Sequence, residues 1–379
     1  MKKFFVALVC VAVVATLLGV FVGCDKSNSG KSTFEIAVVT DVGQLMDGGF
    51  NQGTWEGAQA FAQSNGKTVK YYQPQGGSDA TDADRIAAMR LAITNGAKII
   101  VAPGFMQATA MTTVALENPG VKFVFIDGWT LTDSNGNPIP NVTAVCYKEQ
   151  ESGYMAGYAA VMDGYRKLGG VFGGGGSNPA CCRFAYGYVQ GIKDAAAQLG
   201  IGDEPGSEPV EVKISFNYGD TFSASNELKT MVAGWYAAGT EVIFSCGGSM
   251  VESVRAAAEE TDNGKIIGVD VDQANLSQRV ITSAVKGLSA SVIKILGQFY
   301  AEQWDAQLGG QTSNLGAADD ATGLPIATSR FQNFTAAQYQ ALFAGIKAGT
   351  IRPDDAIKGN VASDWTTLND SHISVELIS

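Results

Sequence analysis

Histidine is almost missing from this chain: a single residue, His372, lies close to the C-terminus. That scarcity excludes histidine-based acid–base chemistry and histidine-rich metal sites, while carboxylate chemistry stays open. Charge is also thin, at 17% of residues, and cations are the scarcer sign, with 26 Lys and Arg against 37 Asp and Glu and a net charge of −11. Binding a nucleic acid duplex requires clustered cations to neutralise phosphates, so the main partner is not nucleic acid. Beyond Cys10 and Cys24 near the N-terminus, Cys146, Cys181, Cys182 and Cys246 show no zinc-knuckle or redox-pair spacing. Adjacent Cys181 and Cys182 are poor partners for each other. One disulfide among the four stays open, with buried free thiols the expected state.

What is abundant is apolar surface and glycine: 46% hydrophobic residues and 46 glycines. That composition suits an α/β protein with many tight strand-to-helix turns. The chain opens with Lys2 and Lys3, runs apolar from Phe4 to Val22, reaches Gly23-Cys24 and then turns polar in DKSNSGKST. This resembles a bacterial lipoprotein signal, in which Cys24 becomes the lipidated first residue. Residues 1–23 are then signal peptide and 24–33 a flexible tether, placing the protein outside the cytoplasm on a lipid anchor. A plain signal peptide or one uncleaved membrane helix is the alternative.

The organising stretch is residues 35–57, EIAVVTDVGQLMDGGFNQGTWEG. Ile36 to Val39 reads as a buried strand, a turn of Asp, Gly and Asn follows, and a helix begins near Phe50. The same unit recurs. Strands end at Asp41, Pro103-Gly104 and Asp127-Gly128, and after residue 165 the pattern restarts, with strands ending at Cys246-Gly247-Gly248 and Asp270. Repeated βαβ units predict two similar Rossmann-like lobes. The expected division is 34–143 with 271–329 for the first lobe and 144–270 with 330–379 for the second. Several crossings imply a hinge. The small residues of the helix from Gln150 to Met162 predict close packing, and residues 309–322 read as a surface hairpin or loop.

Ligands of open α/β sheets bind at the carboxyl ends of strands. Asp41, Asp47, Phe50, Asn51, Asp127 and Asp270 fall there. Carboxylates recurring at strand ends suit hydrogen bonding to ligand hydroxyls or amides, although such residues also serve as helix caps. Phe50 and Phe222 sit among Gly, Asn, Asp and Ser instead of an apolar run, which suits two cleft aromatics sandwiching a planar ring. Lys286, after ITSAV, is either a surface lysine or a donor beside Asp270. Gly173 to Gly176 lack the P-loop ending and read as a flexible turn.

These residues carry a resemblance. The opening VTDxG…DGGFNQGTWEG, then FIDG, RFAYGYVQGIKDA, GDTF, VIFSCGG and GVDVDQ followed by ITSAVK are similar to the basic membrane protein family. That family comprises bacterial lipoproteins that act as purine nucleoside receptors, the substrate-binding components of ABC transporters. The match departs from the family pattern at Met46-Asp47-Gly48-Gly49. The resemblance implies a type I periplasmic-binding-protein fold, a monomer, no cofactor and no catalysis. It also implies that Phe50 and Phe222 clamp the purine and that Asn51 and Asp127 bond the base. Asp270, Lys286 and the Gly247-Gly248 turn would hold the ribose, with Asp41 and Asp47 shaping one wall. An ABC permease and a membrane, reached through the lipid anchor, are the implied partners. Competing readings are a sugar-binding type I protein, an extracytoplasmic glycosidase or nucleosidase, and a surface lipoprotein binding a host macromolecule.

Overall fold

The computed structural model describes residues 33–42, 44–216 and 221–378. The expected signal peptide, Cys24 and the tether up to residue 32 lie outside them. The chain opens with β1 (Ile36–Val39), α1 (Phe50–Asn65), β2 (Val69–Tyr72), α2 (Asp82–Thr94), β3 (Ile99–Pro103), α3 (Ala108–Glu117), β4 (Lys122–Ile126) and β5 (Val142–Tyr147). Then come α4 (Glu149–Asp163), β6 (Lys167–Phe172), α5 (Pro179–Gln198), β7 (Val210–Phe216), α6 (Asn226–Ala237), β8 (Val242–Cys246), α7 (Met250–Glu259), β9 (Lys265–Asp270) and β10 (Val280–Lys286). The last stretch holds α8 (Leu288–Tyr300), α9 (Trp304–Gln307), β11 (Thr312–Leu315), β12 (Thr322–Gly323), α10 (Ala336–Lys347), α11 (Ala362–Thr366) and β13 (Ile373–Leu377).

Two sheets result. One runs β11-β5-β4-β3-β1-β2 and the other β12-β10-β9-β8-β6-β7-β13. Apart from β13, they correspond strand for strand, and every pairing is parallel except β10 with β12. Four-residue runs such as IAVV in β1 are fully buried, as strands covered on both faces must be. Helix starts follow local chemistry. Thr81 and Asp84 form a capping box on α2, and Asn178 caps α5 ahead of Pro179. The expected close packing of the small-residue helix is present: on α4, a Cβ at Gly157 would overlap the Tyr188 carbonyl of α5.

The lobe boundaries differ from expectation. β5 stays in the first sheet through Tyr147, and β10 and β12 pair in the second. Residues 280–286 and 322–323 thus belong with the second lobe, not with the first-lobe stretch 271–329. The cause is local: residues 271–279 return the chain beside β9 without a helix, so no apolar period marks the connection. Residues 312–315 form a parallel edge strand on β5 where a surface hairpin or loop was expected.

The chain crosses between lobes at Tyr147–Glu149, after Lys286 and between Leu315 and Thr322. The first turn of α4 ties these crossings together. Glu151 Oε2 accepts from Ala317 N at 2.6 Å and from the Thr322 hydroxyl at 2.7 Å. Ser152 Oγ donates to Val285 O at 2.6 Å and accepts from Gly323 N at 2.9 Å.

Candidate functional site

Carboxyl ends of strands from both sheets meet around a cavity of about 280 Å³. All ten residues expected in the site line it: Asp41, Asp47, Phe50, Asn51 and Asp127 from the first lobe, and Phe222, Gly247, Gly248, Asp270 and Lys286 from the second. Phe50 and Phe222 border one crevice and are only partly buried.

Lys286, at the end of β10, is the electrostatic centre and is buried. Its ammonium lies 2.6 Å from Asp127 Oδ2, 3.5 Å from Asp270 Oδ1 and 3.7 Å from Glu149 Oε1. It also sits 4.7 Å from the centroid of the Phe50 ring, a cation–π geometry. The surrounding acids hold its pKa well above the ordinary lysine value, outweighing the opposite push of burial. Burial raises the Glu149 carboxyl, and it lifts Asp270 to about 6 against the pull of Lys286.

Asp127 and Asp270 adopt left-handed backbone, φ 55° and 66°, at matching strand ends in the two lobes. A non-glycine residue held there stores backbone strain. The turns aim the two carboxylates at one ammonium from opposite sheets. On the second-lobe wall, Phe222 lies against glycine turns. A Cβ at Gly173 would overlap its ring, and Gly247 and Gly248, both at positive φ, pass beside it. The GGGG run therefore makes room for an aromatic wall.

Two first-lobe residues have most of their hydrogen-bonding capacity spent within the protein. Asp47 Oδ1 accepts from Gly49 N and Gln52 N, and its Oδ2 accepts from Asn51 N and Nδ2, which caps α1. Asn51 Oδ1 accepts from Asp41 N, and its Nδ2 donates to Val42 O as well as Asp47. Both amide protons are spent, so Asn51 has only a remaining lone pair to offer a ligand. Asp41 differs: its Oδ1 is buried without a partner, and burial lifts its pKa to about 7 against the pull of Arg85.

The chain matches, over residues 34–347, the model of a family described as ABC transporter substrate-binding protein PnrA-like. The chain belongs to this family. Its members bind a small molecule outside the cytoplasm and hand it to an ABC permease. The ABC transporter nucleoside-binding protein BmpA of Lactococcus lactis subsp. cremoris is 29% identical over 296 residues, covering 73% of this chain and 76% of its own. Basic membrane protein B of Borreliella burgdorferi is 29% identical over 236 residues, 61% of this chain and 63% of its own. An ABC transporter solute-binding protein from Aeropyrum pernix K1 superposes with a TM-score of 0.64 at 22% identity, covering 85% of this chain and 88% of that one. That likeness shows the shared type I periplasmic-binding-protein-like fold. Among the described residues, no helix is long and apolar enough to cross a membrane.

Sequence reasoning missed Glu149, Arg183 and Trp129, which also line the cavity of this family member. Glu149 opens α4 and Arg183 lies in the second turn of α5, positions where a charged residue reads as an ordinary surface choice. Trp129 is 49% exposed and packs on Phe125, 5.3 Å between centroids. It follows the FIDG motif directly, which was the available signal. Cys181 and Cys246 reach the same wall as free thiols, 4.0 Å apart.

Proposed function

We propose that this chain captures a purine nucleoside between its lobes and delivers it to an ABC importer. The observation that carries the reading is the pairing of features in one cavity. Aromatic rings from both lobes, Phe50 and Phe222, stand beside a cluster of acids that includes unpartnered buried acceptors on Asp41 and Asp127. A flat ring bearing donor groups and joined to a polyol satisfies both halves. The name of the Lactococcus relative supports the same ligand class. Binding is by closure, with the aromatic faces and polyol contacts drawn together, and no bond is made or broken. In this reading the protein is a monomer without a cofactor, tethered through a lipidated Cys24, with the permease as its partner.

Calorimetry against purine nucleosides, pyrimidine nucleosides, free bases and simple sugars tests the proposal. One purine nucleoside per monomer is the expected result, with Phe222→Ala weakening binding by tenfold or more. Binding only to sugars, or to none of the panel, would remove the nucleoside assignment.

A further inference from the structure

The run Gly173 to Gly176 reads as a flexible turn, yet the Phe222 ring lies against it. Gly174, Gly175 and Gly176 all hold left-handed backbone, φ 77°, 56° and 85°. Glycine loses more conformational freedom on ordering than any other residue, so consecutive glycines keep one shape only where neighbours hold them. Two backbone bonds hold the start of the run: Gly173 N donates to Cys246 O at 2.8 Å and Gly174 N to Thr221 O at 3.4 Å.

The far end of the run is held by the C-terminal stretch. The match to the family model stops at residue 347, and residues 351–361 beyond it form neither helix nor strand. Side chains bolt this segment to its surroundings. Asp354 N donates to Gln190 Oε1 at 2.8 Å, and Gln190 Nε2 returns a bond to Asp354 O at 2.9 Å. The Lys358 ammonium lies 3.6 Å from Asp364 Oδ1 and 5.7 Å from the centroid of the Tyr186 ring. At its end the segment meets the glycine run backbone to backbone. A Cβ on Gly359 would stand 2.3 Å from Gly176 O, and one on Gly176 would stand 2.5 Å from Asn360 N. Trp365, fully buried, donates its indole N–H to Gly359 O at 2.8 Å and so fixes that contact from behind.

We infer that residues 351–361 are a brace that sets the Phe222 wall, with Trp365 a positioning residue for ligand capture. Trp365 fixes Gly359, Gly359 and Asn360 press on Gly176, and the glycine run backs the ring. Neither Gly359 nor Trp365 lines the cavity, so their effect on a ligand passes through the wall. The inference rests on the nucleoside reading above only for its probe, inosine.

Two measurements on the full chain test it, amide hydrogen exchange without ligand and calorimetry with inosine. Gly359→Val drives a side chain into Gly176 O at a partly exposed position, and Trp365→Phe keeps a buried ring while losing the N–H donor. Both variants should speed exchange over residues 173–178 and leave the first-lobe strands as protected as in wild type. Gly359→Val should weaken inosine binding by about threefold to thirtyfold, with Trp365→Phe changing it in the same direction by less. Phe222→Leu removes the ring, and in that background Gly359→Val should change the affinity by no more than about twofold. Unchanged exchange over 173–178 in both variants overturns the brace. So does faster exchange with unchanged inosine affinity, or an equal loss with and without the Phe222 ring, which marks a general loss of stability. A wild-type protein that binds no inosine overturns the nucleoside reading instead, and the exchange measurement then decides the brace by itself.

Discussion

Gln273 Nε2 donates to Gly48 O at 2.8 Å, a hydrogen bond from the loop after β9 to the turn that begins α1, and so from one lobe to the other. The same amide accepts from Val269 N at 3.1 Å, and Gln273 N donates to Ser283 Oγ. A buried glutamine fixed on its own lobe thus clasps the rim of the other beside Asp270. Gln273→Ala strands Val269 N and Gly48 O, and should cost about 1–3 kcal/mol of stability. It should also speed ligand release, since the clasp holds the lobes together. Urea unfolding and stopped-flow dissociation read the two effects, and a variant matching wild type in both would show that the clasp contributes nothing.

The pivot is a separate device. Glu151 joins the first crossing to the third through Ala317 N and Thr322, while Ser152 joins it to the second through Val285 O. Removing the carboxylate in Glu151→Ala leaves a backbone N–H and a hydroxyl without their acceptor, a loss of about 1–3 kcal/mol. The larger consequence is geometric: a loosened pivot should widen the range of lobe angles. Small-angle scattering without ligand should give a larger radius of gyration than wild type. An unchanged profile together with unchanged stability would place the pivot elsewhere.

Much of this was legible because βαβ architecture writes itself into sequence. Short apolar runs ending in Gly or Asp gave the strands, and strand ends gave the cavity. Phe50 and Phe222 stood out because each sits among turn residues instead of in an apolar periodic run; each also packs on the edge of a hydrophobic core, so burial is partial. For residues 271–286 it was the lobe, not the strand, that was illegible: a helix-free link to a parallel strand has no periodic marker of the sheet it joins, so the crossing was placed too early. The expected base-reading role of Asn51 depended on hydrogen bonds, which sequence does not display. Its amide braces the first turn through Asp41 N, Val42 O and Asp47. Asn51→Ala should therefore lower stability by about 1–3 kcal/mol along with affinity. A variant as stable as wild type that has lost only ligand affinity would restore the direct role.

Asp41 makes apo stability depend on pH. Its folded pKa, about 7, lies above the ordinary aspartate value, so the folded state binds more protons than the unfolded state between these values. Stability from this residue is present below about pH 4 and is lost as pH rises through 7. Asp41→Asn cannot ionise. It should match wild type near pH 4.5 and become more stable by about 1–3 kcal/mol at pH 8, read by urea unfolding across that range. A gap that stays constant with pH would mean that Asp41 titrates normally. Ligand donors favour the ionised carboxylate, so ligand affinity should rise over the same interval in wild type and stay flatter in the variant.

Lys286 carries the opposite sign of risk, because three acids share it. In Lys286→Met, Asp127, Asp270 and Glu149 keep their burial and lose their counter-charge. Breaking a buried ion cluster by removing one partner costs about 3–5 kcal/mol when the remaining groups are charged. The wild-type Asp270 carboxyl, already lifted to about 6, is drawn down by Lys286, so its removal moves that pKa further up. The folded variant then binds more protons than the folded wild type from about pH 5 to 8, and the stability gap must widen as pH rises. Urea unfolding should show the full loss near pH 8 and a smaller one near pH 5, where protons replace the ammonium. A deficit independent of pH would assign Lys286 a packing role over the Phe50 and Tyr147 rings.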